Sequence, residues 1–291
     1  MKTQSECYPC FLKQASSSLA RLKTPEAKRI EVFQAVARMV AELDPEKNPA
    51  FNSSLVLHLV NRRLAAEDPY REEKRQYNEL ALSLLPSLKE RIATAPDRLE
   101  AAVRLSVVGN VIDLGIGHEV DLEGTLNRAF GDGFVRFEME AFRAGLEPAQ
   151  RILYLLDNAG EVVFDRLLIE ELRQLGKAVI AGVKGGPILN DATRQDAEQA
   201  GLPPICRVLD TGTNFVGVIR EHSSPQFLRV LDGADLVIAK GQGNYETLEG
   251  SRQNLFFILK AKCQAVAEHL GIKLGDLYFG LTPDRPPAAG E

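Results

Sequence analysis

Residues 152–161 read ILYLLDNAGE and decide the fold, because an apolar run of strand length passes directly into a polar turn. An amphipathic run follows as far as Leu175, with apolar side chains near helical spacing. Gly176 then supplies the left-handed residue that commonly ends a helix. Residues 178–183 (AVIAGV) form a second apolar run. This order predicts two parallel strands joined through a helix by a right-handed crossover.

Polar residues follow both predicted strands. Asp157 and Asn158 come where the first strand ends. Lys184 follows the second strand, and Asn190 and Asp191 come a few residues later. In open parallel sheets ligands bind beyond the carboxyl ends of the strands, and Mg²⁺ or Mn²⁺ prefers carboxylate and amide oxygens. These residues therefore predict a metal site, and the alternative is that both pairs cap the helices that follow.

The composition indicates a globular protein with a sizeable core. The chain has 291 residues, of which 45% are hydrophobic and 26% are charged. Its formal net charge of −5 argues against a nucleic-acid binder. The N-terminus has no apolar signal segment, and no run approaches the roughly 20 apolar residues that cross a bilayer. We therefore expect a cytoplasmic enzyme, monomeric or homodimeric, without nucleic-acid or membrane partners.

The cysteines give an incomplete pattern. Cys7 and Cys10 have the spacing of half a zinc site, but no second cysteine pair or closely spaced histidine pair completes it. Cys206 and Cys263 stand alone in the sequence. The pattern favours two reduced thiols at the start of a helix and leaves a ligand or redox role open.

The two halves of the chain predict different architectures. Helices are expected over 10–22, 25–44, 52–65, 70–92, 99–111 and 134–144. Beyond 148 we expect further helices over 191–200, 226–231 and 255–270 and strands over 206–210, 235–239 and 278–280, the last at a sheet edge. The predicted fold is an N-terminal helical domain followed by a mainly parallel, doubly wound α/β sheet. The expected units are a helical domain over 1–148, an α/β domain over 149–282 and a disordered tail over 283–291.

Two polar residues interrupt the end of the most apolar predicted helix, 99–111. Asn110 and Asp113 stand in the run GNVIDLG, which is otherwise apolar or glycine. They serve either as capping residues or as polar groups that point into a cleft between the two halves.

Lys240 directly follows the predicted strand 235–239, and Gly241 and Gly243 come next to it. A lysine and a glycine-rich backbone beside a carboxylate-bound cation make a phosphate site, because the ammonium neutralises charge and glycine lets N–H groups approach closely. The order differs from the Gly-Lys-Ser/Thr of a nucleotide P-loop. The alternative is that Lys240 is a surface lysine.

Three motifs taken together resemble the damage-control phosphatase family, whose acidic-residue-methyltransferase-like metal-binding domain was formerly of unknown function. They are DNAGE at 157–161, PILNDAT at 187–193 and KGQGNYE at 240–246. The segments CYPC at 7–10, DPY at 68–70 and GNVID at 109–113 resemble the archaeal and bacterial branch of that family.

The resemblance implies a metal-dependent phosphatase that acts on small phosphometabolites, such as sugar phosphates or damaged phosphorylated metabolites. It implies Mn²⁺, Co²⁺, Ni²⁺ or Mg²⁺ as cofactor, with Asp157, Asn158 and Asp191 as ligands. The substrate contacts that it implies are Asn110, Asp113, Asn190, Lys240, Gly241 and Asn244.

The expected reaction is phosphomonoester hydrolysis at a single divalent cation, with Asp157 and Lys240 as catalytic residues. Either water attacks phosphorus directly or Asp157 attacks it and forms an aspartyl-phosphate. Two other functions stay open. One is an S-adenosylmethionine-type methyltransferase, which would be expected to carry a glycine-rich loop after its first strand, and the other is a non-catalytic metal-binding protein.

Overall fold

The computed structural model describes residues 1–22, 24–65, 67–111, 124, 130, 133–252 and 254–282, with residues 110 and 111 described by their backbone alone. The predicted contact residue Asp113 and the predicted tail over 283–291 lie outside these ranges. None of the helices within them combines the length and apolar character that crossing a bilayer requires.

The predicted fold class is confirmed: a helical region precedes a seven-stranded, mostly parallel sheet with flanking helices. The helices are α1 (Cys7–Arg21), α2 (Glu26–Ala41), α3 (Pro49–Leu64), α4 (Arg71–Thr94), α5 (Arg98–Val111), α6 (Met139–Leu146), α7 (Glu161–Gln174), α8 (Arg194–Gln199), α9 (Pro225–Gly233), α10 (Gly241–Leu248) and α11 (Gln264–Leu270), with a 3₁₀ turn at Arg220–His222. The strands are β1 (Phe134–Phe137), β2 (Arg151–Leu155), β3 (Ala178–Val183), β4 (Arg207–Asp210), β5 (Leu236–Lys240), β6 (Leu255–Lys260) and β7 (Leu277–Leu281).

The strand order β1-β7-β6-β5-β2-β3-β4 creates a crevice between β2 and β5. The chain adds β3 and β4 on one side of β2 and then places β5 and β6 on the other side, all of them parallel. Strand β7 pairs antiparallel with β6, and β1 pairs parallel with β7. The point where the direction of winding reverses is where ligands bind in doubly wound sheets.

Helices cover both faces of the sheet, which explains why its strands read as continuous apolar runs. In β2, Ile152 and Tyr154 belong to a core shared with α4, α5 and α7. Leu153 and Leu155 belong to a second core, on the opposite face, shared with α9, α10 and α11. Successive side chains of a strand point to opposite faces, so each face receives half of the run.

The structure corrects three of the predicted elements. The predicted helix over 134–144 contains β1, and α6 begins at Met139, so residues numbered below 148 contribute a strand to the sheet. The predicted helix over 255–270 is β6 followed by α11. A short apolar run such as 255–259 fits a buried strand as well as a buried helix, and periodicity cannot separate the two. The strand predicted over 278–280 exists, but β1 pairs outside it and takes the edge.

The helical region is attached to the loops beyond the carboxyl ends of the strands. Helices α1, α2 and α3 share a small apolar core of their own. Ser54 on α3 accepts a hydrogen bond from the backbone N–H of Val216 at 2.9 Å. His58 on the same helix makes a 3.0 Å hydrogen bond to the carbonyl of Asn214. This attachment places α1 and α3 over the crevice.

Helix α4 carries a buried lysine that helps to hold the loop after β3 in place. The Lys74 side chain is 4% exposed, and its Nζ lies 3.1 Å from Asp68 and 3.1 Å from Asp196. Asp196 in turn accepts from the backbone N–H of Thr193 at 2.8 Å, in the loop after β3. Two buried carboxylates therefore depend on one ammonium.

Replacing Lys74 by alanine is expected to lower the free energy of unfolding by about 3–5 kcal/mol, because two buried carboxylates lose their counter-charge. Lys89→Ala is the matched control, since Lys89 is 43% exposed in its pair with Glu170. That change is expected to cost less than about 1 kcal/mol. Urea unfolding of both variants measures the difference, and equal losses would contradict a structural role for the Lys74 pairs.

Candidate active site beyond strands β2 and β5

The loops after β2 and β3 are bonded to each other, and this brings the predicted metal ligands together. The Ala192 N–H donates to the Asp157 carbonyl at 2.7 Å. Asn158 and Asp191 face each other in an isolated antiparallel bridge. Two carboxyl groups and one amide therefore belong to one cluster at the carboxyl ends of adjacent strands.

The alternative capping roles are wrong. The residue at the N-cap of α7 is Gly160, and no side chain caps that helix. Helix α8 begins with a capping box formed by Thr193 and Asp196. Neither the pair Asp157 and Asn158 nor the pair Asn190 and Asp191 caps a helix. Capping therefore does not explain why these polar residues lie at the sheet edge.

Glu161 completes the acidic cluster. The Asn158 amide nitrogen donates to Asp157 Oδ2 at 2.8 Å and to Glu161 Oε1 at 2.7 Å, so the Asn158 Oδ1 atom is left as its acceptor. Burial, together with the charges of Glu161 and Asp191, raises the pKa of Asp157 to about 8. The cluster thus holds more negative charge than its surroundings neutralise.

Asp191 has one lysine beside it. Lys184 Nζ lies 3.6 Å from Asp191 Oδ2, and both side chains are buried. Burial raises the pKa of Asp191 to about 6, against the lowering effect of Lys184. Asp191 Oδ2 is buried without a hydrogen-bond partner in the described part of the chain.

Gly241 makes room for the Asp157 carboxylate. Its φ is +79°, and a Cβ placed on it would lie 2.0 Å from Asp157 Oδ2. Gly241 is also the first residue of α10, whose partly positive N-terminus stabilises a carboxylate. Any side chain here would displace Asp157, so the crevice requires glycine at this position.

Lys240 is fully buried, so the alternative surface role is wrong. Its Nζ donates to Asp165 Oδ1 at 2.6 Å and to the Ser106 carbonyl at 2.8 Å. Glu161 Oε2 lies 3.5 Å away. Although burial lowers the pKa of Lys240, Asp165 and Glu161 outweigh it and raise the pKa above its ordinary value. The Lys240 ammonium is thus a buried, positively charged neighbour of Glu161 in the cluster.

Two pockets meet at the cluster. One of about 300 Å³, which we call the inner pocket, has Asp157, Asn158 and Asp191 in its wall. The other, of about 870 Å³ and called the outer pocket, opens beside it. Asn158, Asn190 and Lys262 line both pockets. A molecule bound at this junction therefore has two directions in which to extend.

The predicted substrate contacts have different positions. Asn190 lines both pockets, whereas Gly241 packs against Asp157. Asn244 is buried and donates to the carbonyls of Leu156 and Lys240, which ties α10 to the end of β2. Asn110 lies in α5, and its side chain is outside the described part of the structure, as is Asp113. These contacts stay predictions.

The cysteines of the N-terminal motif lie beside the site. Cys7 and Cys10 both line the inner pocket, as does Cys263. Burial raises the pKa of the Cys7 thiol, which disfavours the thiolate that binds metals or attacks electrophiles. The thiols thus contribute wall surface to the pocket.

The cluster fits a small hard cation. Two carboxylates and an amide leave positions for water and phosphate oxygens, as protein sites for Mg²⁺ do. Asp191 Oδ2 accepts no hydrogen bond in the described part of the chain, and the raised pKa of Asp157 indicates that the cluster would be stabilised by additional positive charge. Within the described ranges no three His, Cys, Asp or Glu side chains are arranged to hold a metal. Such a site would depend on Asn158 and on ligands from outside the protein.

No role was assigned from the sequence to three charged residues of the site, Glu161, Lys184 and Lys262. Glu161 stands in the DNAGE motif and Lys184 directly follows β3, so both were visible as polar residues near strand ends. Lys262 lies just past β6. Because a helix was predicted over 255–270, Lys262 was not recognised as a residue that follows a strand. A strand over 255–260 would have placed Lys262 at the same edge as the other polar residues.

The chain matches a family model described as the damage-control phosphatase ARMT1-like domain over residues 3–278. It is 36% identical over 283 residues to the damage-control phosphatase PH1575 of Pyrococcus horikoshii, covering 95% of this chain and 97% of that protein. It is 37% identical over 220 residues to a damage-control phosphatase of Archaeoglobus fulgidus, covering 74% of this chain and 76% of that protein.

The fold has a close counterpart among solved structures. The crystal structure of the DUF89 family protein PH1575 from Pyrococcus horikoshii superposes with a TM-score of 0.91 at 34% sequence identity, covering 97% of this chain and all of that one. The family match spans the helical region, the sheet and all three motifs of the crevice. The chain therefore belongs to the damage-control phosphatase ARMT1-like domain family.

Proposed function

We propose that this chain is a phosphatase that uses one divalent cation to hydrolyse small phosphate monoesters in the crevice beyond β2 and β5. The observation that carries the proposal is the cluster of Asp157, Asn158 and Asp191 at the junction of two pockets. Relatives that are named damage-control phosphatases support the reaction class. Sugar phosphates and damaged phosphorylated metabolites are the proposed substrates.

Asp157, Asn158 and Asp191 would hold Mn²⁺, Co²⁺, Ni²⁺ or Mg²⁺ through oxygen atoms. The bound cation would supply charge neutralisation at phosphoryl oxygens and a lowered pKa for water. Gly241 leaves space for Asp157, and the hydrogen bonds from Asn158 to Asp157 and Glu161 keep the amide in one orientation. The protein thus provides a preorganised set of oxygen donors.

Two lysines would act on the phosphoryl group in different ways. Lys262 is exposed on the wall of both pockets, so its ammonium can contact phosphate oxygens directly. Lys240 is held by Asp165 and the Ser106 carbonyl and would act by keeping Glu161 in place. Charge developing on the transferring group is stabilised most by donors that are already in position.

The methyltransferase alternative is less well supported. A glycine-rich loop after the first strand lets the backbone approach a bound cofactor. Here Asp157 and Asn158 take that place after β2, and their side chains bring acidic groups into the crevice. The turn after β2 therefore offers carboxylate and amide oxygens instead of the close glycine backbone that such a cofactor needs.

Removing one acidic ligand is expected to abolish stabilisation by Mn²⁺. At a free Mn²⁺ concentration of 100 times Kd, the wild-type protein should gain about 2.7 kcal/mol against unfolding. Asp191→Ala should lose this gain, whereas Asp210→Ala should keep it because Asp210 is a half-exposed partner of Arg194 at the end of β4. Thermal unfolding with and without Mn²⁺ measures the effect. An anomalous Mn²⁺ peak away from Asp157, Asn158 and Asp191 in crystals would overturn the assignment.

Substitutions of Lys262 and Lys240 are expected to differ in their effects on turnover and on stability. Lys262→Met is expected to lower phosphate release by roughly tenfold, less than the roughly 10²-fold loss of a preorganised donor, because an exposed ammonium is held less firmly. Its unfolding free energy should change by less than about 0.5 kcal/mol, since the side chain is exposed. Lys240→Met should lower both turnover and stability, the latter by about 3–5 kcal/mol, because it leaves buried carboxylates unpaired. Unchanged turnover in either variant would remove that lysine from the site.

The double variant Cys7→Ser, Cys10→Ser is expected to keep turnover within a few-fold of wild type. The Cys7 thiol is held in its protonated form by burial, and serine offers a similar small side chain to the pocket wall. Phosphate release and bound zinc should be measured together. Loss of activity accompanied by loss of stoichiometric zinc would reveal a cysteine metal site.

A further inference from the structure

Glu246 is a buried carboxyl that the proposed reaction does not use. It lies on α10, is 8% exposed and lines the inner pocket together with Asp157 and Asn158. No lysine, arginine or histidine in the described ranges forms an ion pair with it, although the charge of the N-terminal ammonium lowers its pKa. Glutamate is rarely buried without an ion pair, so a carboxyl kept in a cavity wall indicates a binding role.

The Glu246 carboxyl has a fixed orientation. Gln242 Nε2 donates to its Oε1 atom at 2.9 Å, and the backbone N–H of Ala50 donates to the same carboxyl. Burial raises the pKa of Glu246 to about 7, although both of these donors lower it. Near neutral pH the group therefore spends time in both protonation states and can accept from or donate to a hydroxyl.

The wall around Glu246 suits a neutral ligand that carries hydroxyl groups. Gln14, Ser53 and Gln242 present amide and hydroxyl groups to the inner pocket, and Ser53 donates to Gln14. A volume of about 300 Å³ is at the small end of the range for ligand pockets. Such a space fits a single sugar ring or a short polyol better than a nucleotide.

The outer pocket has the opposite character. Lys13, Arg21 and Lys260 line it, in addition to Lys262 at the junction, and they outnumber its two carboxylates, Glu73 and Glu161. An anionic substituent is attracted to this side, whereas the carboxyl of Glu246 repels it from the inner pocket. An anionic organic group of the substrate is therefore expected in the outer pocket, and a neutral one in the inner pocket.

We propose that Glu246 determines substrate specificity by hydrogen-bonding hydroxyl groups of the leaving alcohol in the inner pocket, while the phosphoryl group lies at the Asp157 cluster. The inference rests on the proposed phosphatase function and adds the direction in which the substrate extends. Gln242 is a positioning residue, because its amide orients the Glu246 carboxyl.

The experiment compares kcat/KM for a hexose monophosphate and for p-nitrophenyl phosphate, which has no alcohol hydroxyls, in the presence of Mn²⁺. Glu246→Ala is expected to lower kcat/KM for the hexose monophosphate by about tenfold or more, the loss of a hydrogen bond to a charged group. The value for p-nitrophenyl phosphate should stay within a few-fold of wild type. Thermal unfolding checks that the variant folds, and Glu246→Met, which keeps a similar side-chain size but removes both carboxyl oxygens, replaces it with the same expected result if the alanine variant does not fold.

Glu73→Gln is the control in the outer pocket, where Glu73 pairs with Arg21 at 2.7 Å. It should leave the ratio of the two kcat/KM values unchanged. Equal effects of the Glu246 variant on both substrates, no effect on either, or a changed ratio in Glu73→Gln would overturn the inference alone. No turnover of either substrate by the wild-type protein would overturn the phosphatase proposal and the inference with it.

Discussion

The burial of neighbouring carboxylates is the constraint on which the rest of the structure depends. Asp157, Glu161 and Asp191 converge where β2 and β3 end, and burial together with nearby carboxylates raises the pKa of Asp157 and of Asp191. Two buried ammonium groups lie beside these carboxylates: Lys184 at the end of β3 approaches Asp191, and Lys240 at the end of β5 approaches Glu161. The remaining negative charge supports the proposed cation site in the crevice.

The helical region takes part in the site because it holds the acidic loops. The side chain of Asn78 on α4 accepts from the Gly160 N–H at 2.7 Å, in the loop after β2. Lys74, one turn earlier, reaches Asp196 in the capping box that follows the second loop. Helices α1 and α3 then supply walls of the inner pocket. The crevice therefore exists only where helices and sheet meet.

The two pockets would allow the proposed phosphatase to select among phosphate monoesters. The phosphoryl group is common to every monoester, so recognition of the alcohol must come from groups further out. The inner pocket has the Glu246 carboxyl and several amides in its wall, whereas basic residues outnumber acidic ones in the wall of the outer pocket. The two directions therefore differ in electrostatic character. Specificity in such a site depends on groups left unpaired when the wrong alcohol binds.

Local pattern alone determined the strand–helix–strand unit over 152–183, the mostly parallel sheet and the acidic residues at its edge, because periodicity and strand-end position are properties of neighbouring residues. Tertiary structure alone decided that residues 255–260 form a strand, since an apolar run buried on both faces has no period of its own. It also decided the partners of Lys240 and the approach of Lys262 and Glu246 to the crevice. These contacts join segments that are far apart in the chain. The order of strands in the sheet brings them together, and no local sequence pattern predicts that order.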